Sequence, residues 1–138
     1  LQKILEQRKE KIVILGGQED KESFKALNIS GRVVNLTGKT SLLNTAIVLN
    51  QARALVSNDS GLMHMAAAVN TPLVAVFGST VRELGFFPFR ADSIVLENKQ
   101  LRCRPCSHLG RNQCPKKHFK CMTEIKPDLV YKSLKELL

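Results

Sequence analysis

The fold is decided by residues 54–78, which read ALVSNDSGLMHMAAAVNTPLVAVFG. Ala54-Leu55-Val56 is a short apolar run typical of a buried strand, and Asn58-Asp59-Ser60-Gly61 interrupts it with turn-forming residues. A helical apolar pattern and a second apolar run follow, so the segment predicts strand, turn, helix and strand. We expect Ser60 or Asp59 to cap the helix. Its apolar positions are Leu62, Met65, Ala66 and Val69.

The polar turn lies where a strand ends and a helix begins, which is where open α/β sheets bind ligands. Free backbone N–H groups and the positive end of the helix dipole favour phosphate there. His64 follows Ser60 by one helical turn, so its ring can face the same ligand. An isolated turn of this kind is more typical of a simple helix cap. The combination with His64 and with a second polar loop, Phe77-Gly78-Ser79-Thr80, favours a binding site.

The same alternation of strand and helix extends through most of the 138 residues. The strands are apolar and do not alternate with polar residues, which predicts an α/β fold whose parallel sheet has helices on both faces. With 43% hydrophobic residues, one domain over residues 1–138 is expected. The predicted helices are 1–11, 19–27, 41–51, 60–69 and 127–137, and the predicted strands are 12–15, 33–36, 54–57, 73–77 and 93–96.

Positive charge is concentrated at the end of the chain. The net charge is +9, and residues 99–138 hold most of it. A basic segment favours an anionic partner, and nucleic acid, anionic lipid and a phosphorylated saccharide all have the required charge. A merely solvated basic surface is the alternative. The few scattered aromatic residues provide no stacking platform, so we expect no nucleic acid. No apolar run is long enough to predict a membrane span.

The four cysteines all lie in a basic loop over residues 99–122. Cys103 and Cys106 have the spacing of metal ligands, whereas Cys114 and Cys121 are farther apart than in a usual zinc ribbon. Structural zinc, free thiols and disulfides therefore all remain open, with disulfides less expected in a cytosolic protein. His108 and His118 are further candidate ligands.

The polar motif resembles the signature of glycosyltransferase family 9, the heptosyltransferases of lipopolysaccharide core synthesis. The resemblance is carried by Asn58-Asp59-Ser60-Gly61-Leu62-Met63-His64, by Pro72 and by Phe77-Gly78-Ser79-Thr80. Earlier segments, residues 12–17 and 36–42, are similar to the opening of the family's carboxyl-terminal domain. The cysteine tail through Ile125-Lys126-Pro127 resembles that of the heptosyltransferase II branch.

This resemblance implies the carboxyl-terminal, donor-binding half of a GT-B enzyme, with ADP-heptose as donor and no required cofactor. Asp59 would bind the heptose hydroxyls, the Ser60 and Gly61 amides would hold the diphosphate, and His64 would contact either one. Other positions implied to bind substrate are Gly17, with Glu19 or Glu22 on the ribose, Thr40 and Leu42 beside the adenine, and Asn58 in the motif.

The resemblance also implies inverting transfer of heptose to a lipid A–linked core acceptor at the cytoplasmic face of the inner membrane. The catalytic base of the family belongs to the amino-terminal acceptor domain, so no catalytic residue is expected in this chain, and the chain alone should be inactive. Two alternatives remain open: a sugar-nucleotide domain of another GT-B enzyme, or a basic non-enzymatic binding module with a cysteine cluster.

Overall fold

Residues 1–24, 31–111 and 113–138 are described by a computed structural model. They form two compact units, Leu1–Val48 and Leu49–Leu138. Backbone hydrogen bonds define one parallel sheet of two strands and another of three. The predicted α/β class with parallel strands and helices is therefore confirmed. No helix in the described part of the chain is long and apolar enough to cross a membrane.

The first unit contains two strands that run parallel. Its elements are α1 (Gln2–Gln7), β1 (Ile12–Ile14), α2 (Lys21–Phe24), β2 (Val33–Asn35) and the first part of α3 (Leu42–Gln51). Ile12 lies opposite Val33, and Ile14 lies opposite Asn35. The predicted end of α2 falls on residues 25–27, which lie outside the described residues.

Helix α1 is shorter than the predicted helix 1–11 because an arginine from a later segment binds its carboxyl end. The Arg32 guanidinium donates hydrogen bonds to the backbone carbonyl oxygens of Leu5 and Arg8. Arg8 itself has extended backbone and pairs through its side chain with Glu10. The charge pattern of residues 1–11 is compatible with a helix and does not predict this long-range contact at the end of α1.

The second unit is built around a central parallel strand. Its elements are β3 (Leu55–Asn58), α4 (Gly61–Ala68), β4 (Leu73–Phe77), a 3₁₀ turn (Arg82–Leu84), β5 (Ser93–Glu97), α5 (Lys120–Thr123) and α6 (Pro127–Leu137). Strand β4 pairs in parallel with β3 on one side and β5 on the other. Its Leu73, Val74, Ala75 and Phe77 are fully buried. Helix α4 packs on β3 and β4, and α6 packs on β4 and β5.

Two details around the decisive segment differ from the prediction. Val56 in β3 is 40% exposed, so this strand is less enclosed than its apolar sequence indicates. On α4 the buried residues are Met63, Ala66 and Ala67, and of the apolar positions that the helical spacing predicts only Ala66 is among them. Helix α4 is apolar around most of its circumference, and periodicity alone therefore does not choose the buried face.

The carboxyl-terminal segment contains one predicted helix and one that was missed. Helix α6 has the predicted bounds, with Pro127 in its first turn, where proline is favoured. The short helix α5 overlaps the end of the predicted loop 99–122. It begins after Phe119, whose backbone φ of 49° is left-handed, and it buries Cys121. One turn of helix in a charged segment gives no periodic signal.

A buried hydroxyl in the first unit provides a stability test. The Thr37 side chain is 2% exposed, and its Oγ1 has no hydrogen-bond partner among the described residues. Thr37→Val keeps the shape and removes an unpaired polar group, so we expect the free energy of unfolding in urea to stay the same or to rise by about 1 kcal/mol.

The matched control is Thr45→Val in the same unit. Thr45 is also buried, but its hydroxyl donates to the Ser41 carbonyl oxygen at 2.9 Å and contacts the Thr40 hydroxyl at 2.7 Å. This variant should lose about 1 kcal/mol or more. An equal loss in the two variants would show that the Thr37 hydroxyl has a partner after all.

Candidate functional site

Asp59 lies at the carboxyl end of β3 and is held by the neighbouring loop. Its Oδ2 accepts a hydrogen bond of 2.8 Å from the Thr80 hydroxyl, and Thr80 is buried just beyond the end of β4. The other carboxylate oxygen, Oδ1, has no hydrogen-bond partner among the described residues. Asp59 is half-buried. One oxygen is thus fixed by the protein, and the other is available to a ligand hydroxyl.

The start of α4 presents unpaired backbone N–H groups. Ser60 is the N-cap residue as predicted, but its side chain caps no N–H and contacts the Ser57 hydroxyl at 3.0 Å instead. Within the described ranges, the N–H groups of Ser60, Gly61 and Leu62 donate no hydrogen bond. A Cβ atom added to Gly61 would have no atom within 4 Å. This helix start is therefore open, and it has the donors and the dipole that stabilise an anion.

His64 and Asn58 complete the group of predicted residues on this turn. His64 lies in the first turn of α4 and is exposed, with no side-chain hydrogen bond in the part of the chain that is described. Asn58 is exposed at the end of β3, and its side-chain amide donates to the Asp59 carbonyl oxygen at 3.5 Å. Asn58, Asp59, Ser60, Gly61 and His64 thus lie together where β3 gives way to α4. Their binding roles stay a prediction.

In the first unit, the predicted residues Gly17 and Glu19 follow β1. The Gly17 N–H donates a hydrogen bond of 2.9 Å to the Asp20 carboxylate, so Asp20 stabilises the turn after β1. The Glu19 carboxylate lies directly over Gly17, where an added Cβ would collide with it. Glu19 is exposed, and its carboxylate is therefore accessible to a ligand beside the glycine turn. The alternative residue, Glu22, lies in α2.

Thr40 and Leu42 lie at the start of α3. The Thr45 hydroxyl donates to the Ser41 carbonyl oxygen, so the 2.7 Å contact between the hydroxyls of Thr40 and Thr45 uses the proton of Thr40. The Thr40 hydroxyl can then only accept from a ligand. Leu42 is 77% exposed, and its proposed place beside the adenine stays a prediction.

The four cysteines form no disulfide, and all are free thiols in the structure. Cys103 Sγ lies 3.8 Å from His118 Nε2, and the Cys106 thiol donates to the Cys103 carbonyl oxygen at 3.2 Å. Cys121 is buried beneath the end of β4, where its sulfur is close to Gly78. Among the described residues, no group of three or more side chains is arranged to hold a metal ion. This arrangement of the described residues therefore does not support the structural zinc site that the sequence left open.

The environments of two cysteines shift their pKa values in opposite directions. The Phe119 N–H donates to Cys114 Sγ at 3.4 Å, and this hydrogen bond lowers the pKa of the Cys114 thiol. Burial raises the pKa of Cys121, and the neighbouring Cys106 and Cys114 thiols raise it further. Cys114 is therefore the thiol that ionises more readily.

Arg104 is one of the basic residues of the segment 99–138, but it is not part of an exposed basic surface. Its side chain is 4% exposed and forms an ion pair of 2.9 Å with Glu97. The guanidinium also donates to the carbonyl oxygens of Gly78, Thr80 and Asn98. Arg104 therefore joins the basic loop of residues 99–122, called the cysteine loop below, to the loops that follow β4 and β5. Thr80 was quoted only as part of a motif, and nothing in the sequence singles out either residue from its neighbours.

The parallel ladders, the flanking helices and the polar turn beyond β3 define a Rossmann-like α/β protein. The profile of glycosyltransferase family 9 (heptosyltransferase) matches residues 1–118, and the chain belongs to this family.

Relatives of known name agree with this assignment. The chain is 34% identical over 107 residues to lipooligosaccharide heptosyltransferase 2 of Campylobacter jejuni. The aligned region covers 78% of this chain and 32% of that relative. It is 42% identical over 73 residues to lipopolysaccharide heptosyltransferase 2 of Escherichia coli, covering 49% of this chain and 21% of that protein. The structure of E. coli ADP-heptose lps heptosyltransferase II matches 99% of this chain and 38% of that chain, with a TM-score of 0.76 and 26% identity.

The chain therefore spans about a third of the length of the curated relatives that it matches. The family match and the structural likeness confirm the sequence-based assignment to heptosyltransferase-type glycosyltransferases with a Rossmann-like fold. They also favour this class over a basic non-enzymatic binding module.

The cysteine environments predict an order of alkylation by iodoacetamide in the native protein. Cys114 should react before Cys121, and its rate should reach half of its maximum at a lower pH than that of a free cysteine, because its thiolate is stabilised by a hydrogen bond. Cys121 should react slowly because it is buried and its pKa is raised. Mass spectrometry of peptides after timed quenching measures both rates.

Urea-unfolded protein is the control, and there the two cysteines should react at similar rates. Equal protection of all four native thiols that is lifted by a chelator would instead support a bound metal ion.

Proposed function

We propose that the chain binds the donor substrate ADP-heptose for a heptosyltransferase that extends the lipopolysaccharide inner core. The observation that carries this proposal is the start of α4, where the unpaired amides of Ser60 and Gly61 adjoin a half-buried carboxylate, Asp59. A nucleotide sugar has the matching chemistry, because its diphosphate needs N–H donors and its sugar needs an acceptor for hydroxyl groups.

This arrangement suits the departure of a nucleoside diphosphate. Negative charge accumulates on the leaving phosphates as the bond to the sugar breaks. Fixed N–H donors and a helix dipole at that position stabilise the transition state more than the ground state. In this proposal the Ser60 and Gly61 amides contact the diphosphate, Oδ1 of Asp59 accepts from a heptose hydroxyl, and His64 contacts the diphosphate or the sugar.

For the nucleoside, the proposal rests on the sequence resemblance of residues 12–17 and 36–42 to the family. The exposed Glu19 carboxylate, which lies against Gly17, would accept from the ribose hydroxyls. Thr40 would accept a hydrogen bond near the adenine. The base that activates the acceptor must lie on the opposite side of the sugar from the diphosphate, and we place it in an amino-terminal acceptor domain. Transfer would then be inverting, and this chain alone would bind donor without catalysis.

The first test compares ADP with UDP in one thermal-shift series on the 138-residue chain. A ligand that binds the native state raises the melting temperature, and the rise grows with the logarithm of the ratio of ligand concentration to dissociation constant. We expect a rise with ADP, a larger rise with ADP-heptose, and a much smaller one with UDP. A preference for UDP would favour a different sugar-nucleotide enzyme of the same fold, and no response to any nucleotide would contradict the proposal.

Gly61→Ala tests the helix start within the same series. An added Cβ meets nothing within 4 Å in the free chain, so folding should be unaffected. In the complex the methyl group would crowd the diphosphate, and we expect the affinity for ADP to fall about tenfold. Gly31→Ala is the matched control, because its Cβ also meets open space and the residue is no part of the proposed site.

The acceptor would be a lipid A–linked core at the cytoplasmic face of the inner membrane. The basic segment of residues 99–138, called the basic tail below, would favour that location. Every Lys of residues 99–138 is exposed, as are Arg102 and Arg111. An anionic membrane surface attracts such residues by about 1 kcal/mol each when they lie close to it. We therefore propose that the tail contributes to peripheral membrane association.

Flotation with vesicles tests this association. The chain should float with vesicles that contain phosphatidylglycerol and not with phosphatidylcholine alone, and added salt should release it because screening weakens the attraction. Lys116→Glu with Lys117→Glu should reduce flotation, since both side chains are exposed in the tail. Exposed Lys9→Glu with Lys11→Glu is the charge-matched control. Equal flotation with the two kinds of vesicle would contradict the proposal.

A further inference from the structure

A chain of hydrogen bonds leads from β5 and the cysteine loop to Asp59. Glu97 at the end of β5 pairs with the Arg104 guanidinium at 2.9 Å. The same Arg104 Nη2 donates to the Thr80 carbonyl oxygen at 2.7 Å, and the Thr80 hydroxyl donates to Asp59 Oδ2 at 2.8 Å. Each link is a direct contact between described residues.

Arg104 holds the loop after β4 from two sides. Its Nε donates to the Gly78 carbonyl oxygen at 2.5 Å, and its Nη2 donates to that of Thr80, so the two ends of the Gly78–Thr80 turn bind one rigid guanidinium. The Cys106 N–H donates to the Ser79 carbonyl oxygen between them. Three successive backbone carbonyls of this loop are thus bound by the cysteine loop. A planar guanidinium fixes such a geometry better than a flexible ammonium group.

We propose that Thr80 is a positioning residue for the donor sugar, that it sets the orientation of the Asp59 carboxylate, and that Arg104 fixes Thr80 in turn. This inference rests on the proposed function of Asp59 as the acceptor for a sugar hydroxyl. The Thr80 hydroxyl occupies Oδ2 and leaves Oδ1 to the ligand. The cysteine loop then serves the donor site by holding Arg104 in place.

The geometry makes this role specific for the sugar. The diphosphate is assigned to backbone amides of α4, and none of these amides forms a hydrogen bond with Thr80 or Arg104 in the described part of the chain. Removal of the Thr80 hydroxyl therefore frees the Asp59 carboxylate and leaves the amides unchanged. Binding of ADP-heptose should weaken while binding of ADP stays the same, which a general loss of structure would not produce.

The test measures the dissociation constants of ADP and ADP-heptose by calorimetry for three variants of the 138-residue chain. Thr80→Val should weaken ADP-heptose about tenfold and leave ADP within about twofold, whereas Thr80→Ser, which keeps the hydroxyl, should restore most of the ADP-heptose affinity. Thr71→Val is the matched control. Thr71 is a buried threonine of the same unit whose hydroxyl donates to the Leu49 carbonyl oxygen at 2.7 Å. Its loss should change the affinity for neither ligand.

The outcomes separate the two proposals. If the unaltered chain binds neither ligand, the proposed function fails and this inference fails with it. The unaltered chain could bind both ligands while Thr80→Val has the same two affinities or loses affinity for both equally. Either result overturns the positioning role and leaves the proposed function standing. Arg104→Lys, checked for native circular dichroism, should show the same selective loss. If Arg104→Lys does not fold, the comparison of Thr80→Val with Thr80→Ser decides whether Thr80 has the positioning role.

Discussion

Strand β4 is paired in parallel on both of its edges, and the arrangement of the second unit depends on this pairing. Asn58 lies opposite Val76 and Phe77 lies opposite Glu97, so the three strands end at nearly the same level. The residues that follow them, Asp59 after β3 and Thr80 after β4, are thereby brought within hydrogen-bonding distance. Parallel pairing needs crossover connections, and α4 supplies the one between β3 and β4. The helix that covers the sheet thus also brings its amino terminus beside Asp59.

The cysteine loop has an architectural role at this same edge. It contributes Arg104, whose buried ion pair with Glu97 is accompanied by hydrogen bonds to three backbone carbonyl oxygens. A buried cation is tolerated when its donors are satisfied in this way, and removing one partner of such a pair is strongly destabilising. The loop has few apolar residues of its own to bury, and this polar junction ties it to the sheet.

Much of the fold follows from local sequence signals. The strand at Leu73–Phe77 and the helix at Pro127–Leu137 have the bounds that their apolar runs and the proline predict. The turn of Asn58 to Gly61 was predicted because its residue types break an apolar run and begin a helix. The end of α1 was not predicted because a guanidinium from residue 32 determines it. The buried face of α4 was also missed, since an apolar sequence on most sides does not select one face.

The sequence by itself determined the order of strands and helices, the polar turn after β3 and the family to which the chain belongs, because these depend on residue types at short spacing. Only the tertiary structure decided which basic residue is buried and which hydroxyl holds Asp59. Arg104 has the same local composition around it as the exposed Arg102, and Thr80 stands in a loop without any regular pattern. Arg104 binds the carbonyl oxygen of Gly78 and Thr80 binds Asp59, each more than twenty residues away, and the parallel register of β3, β4 and β5 brings these distant groups together.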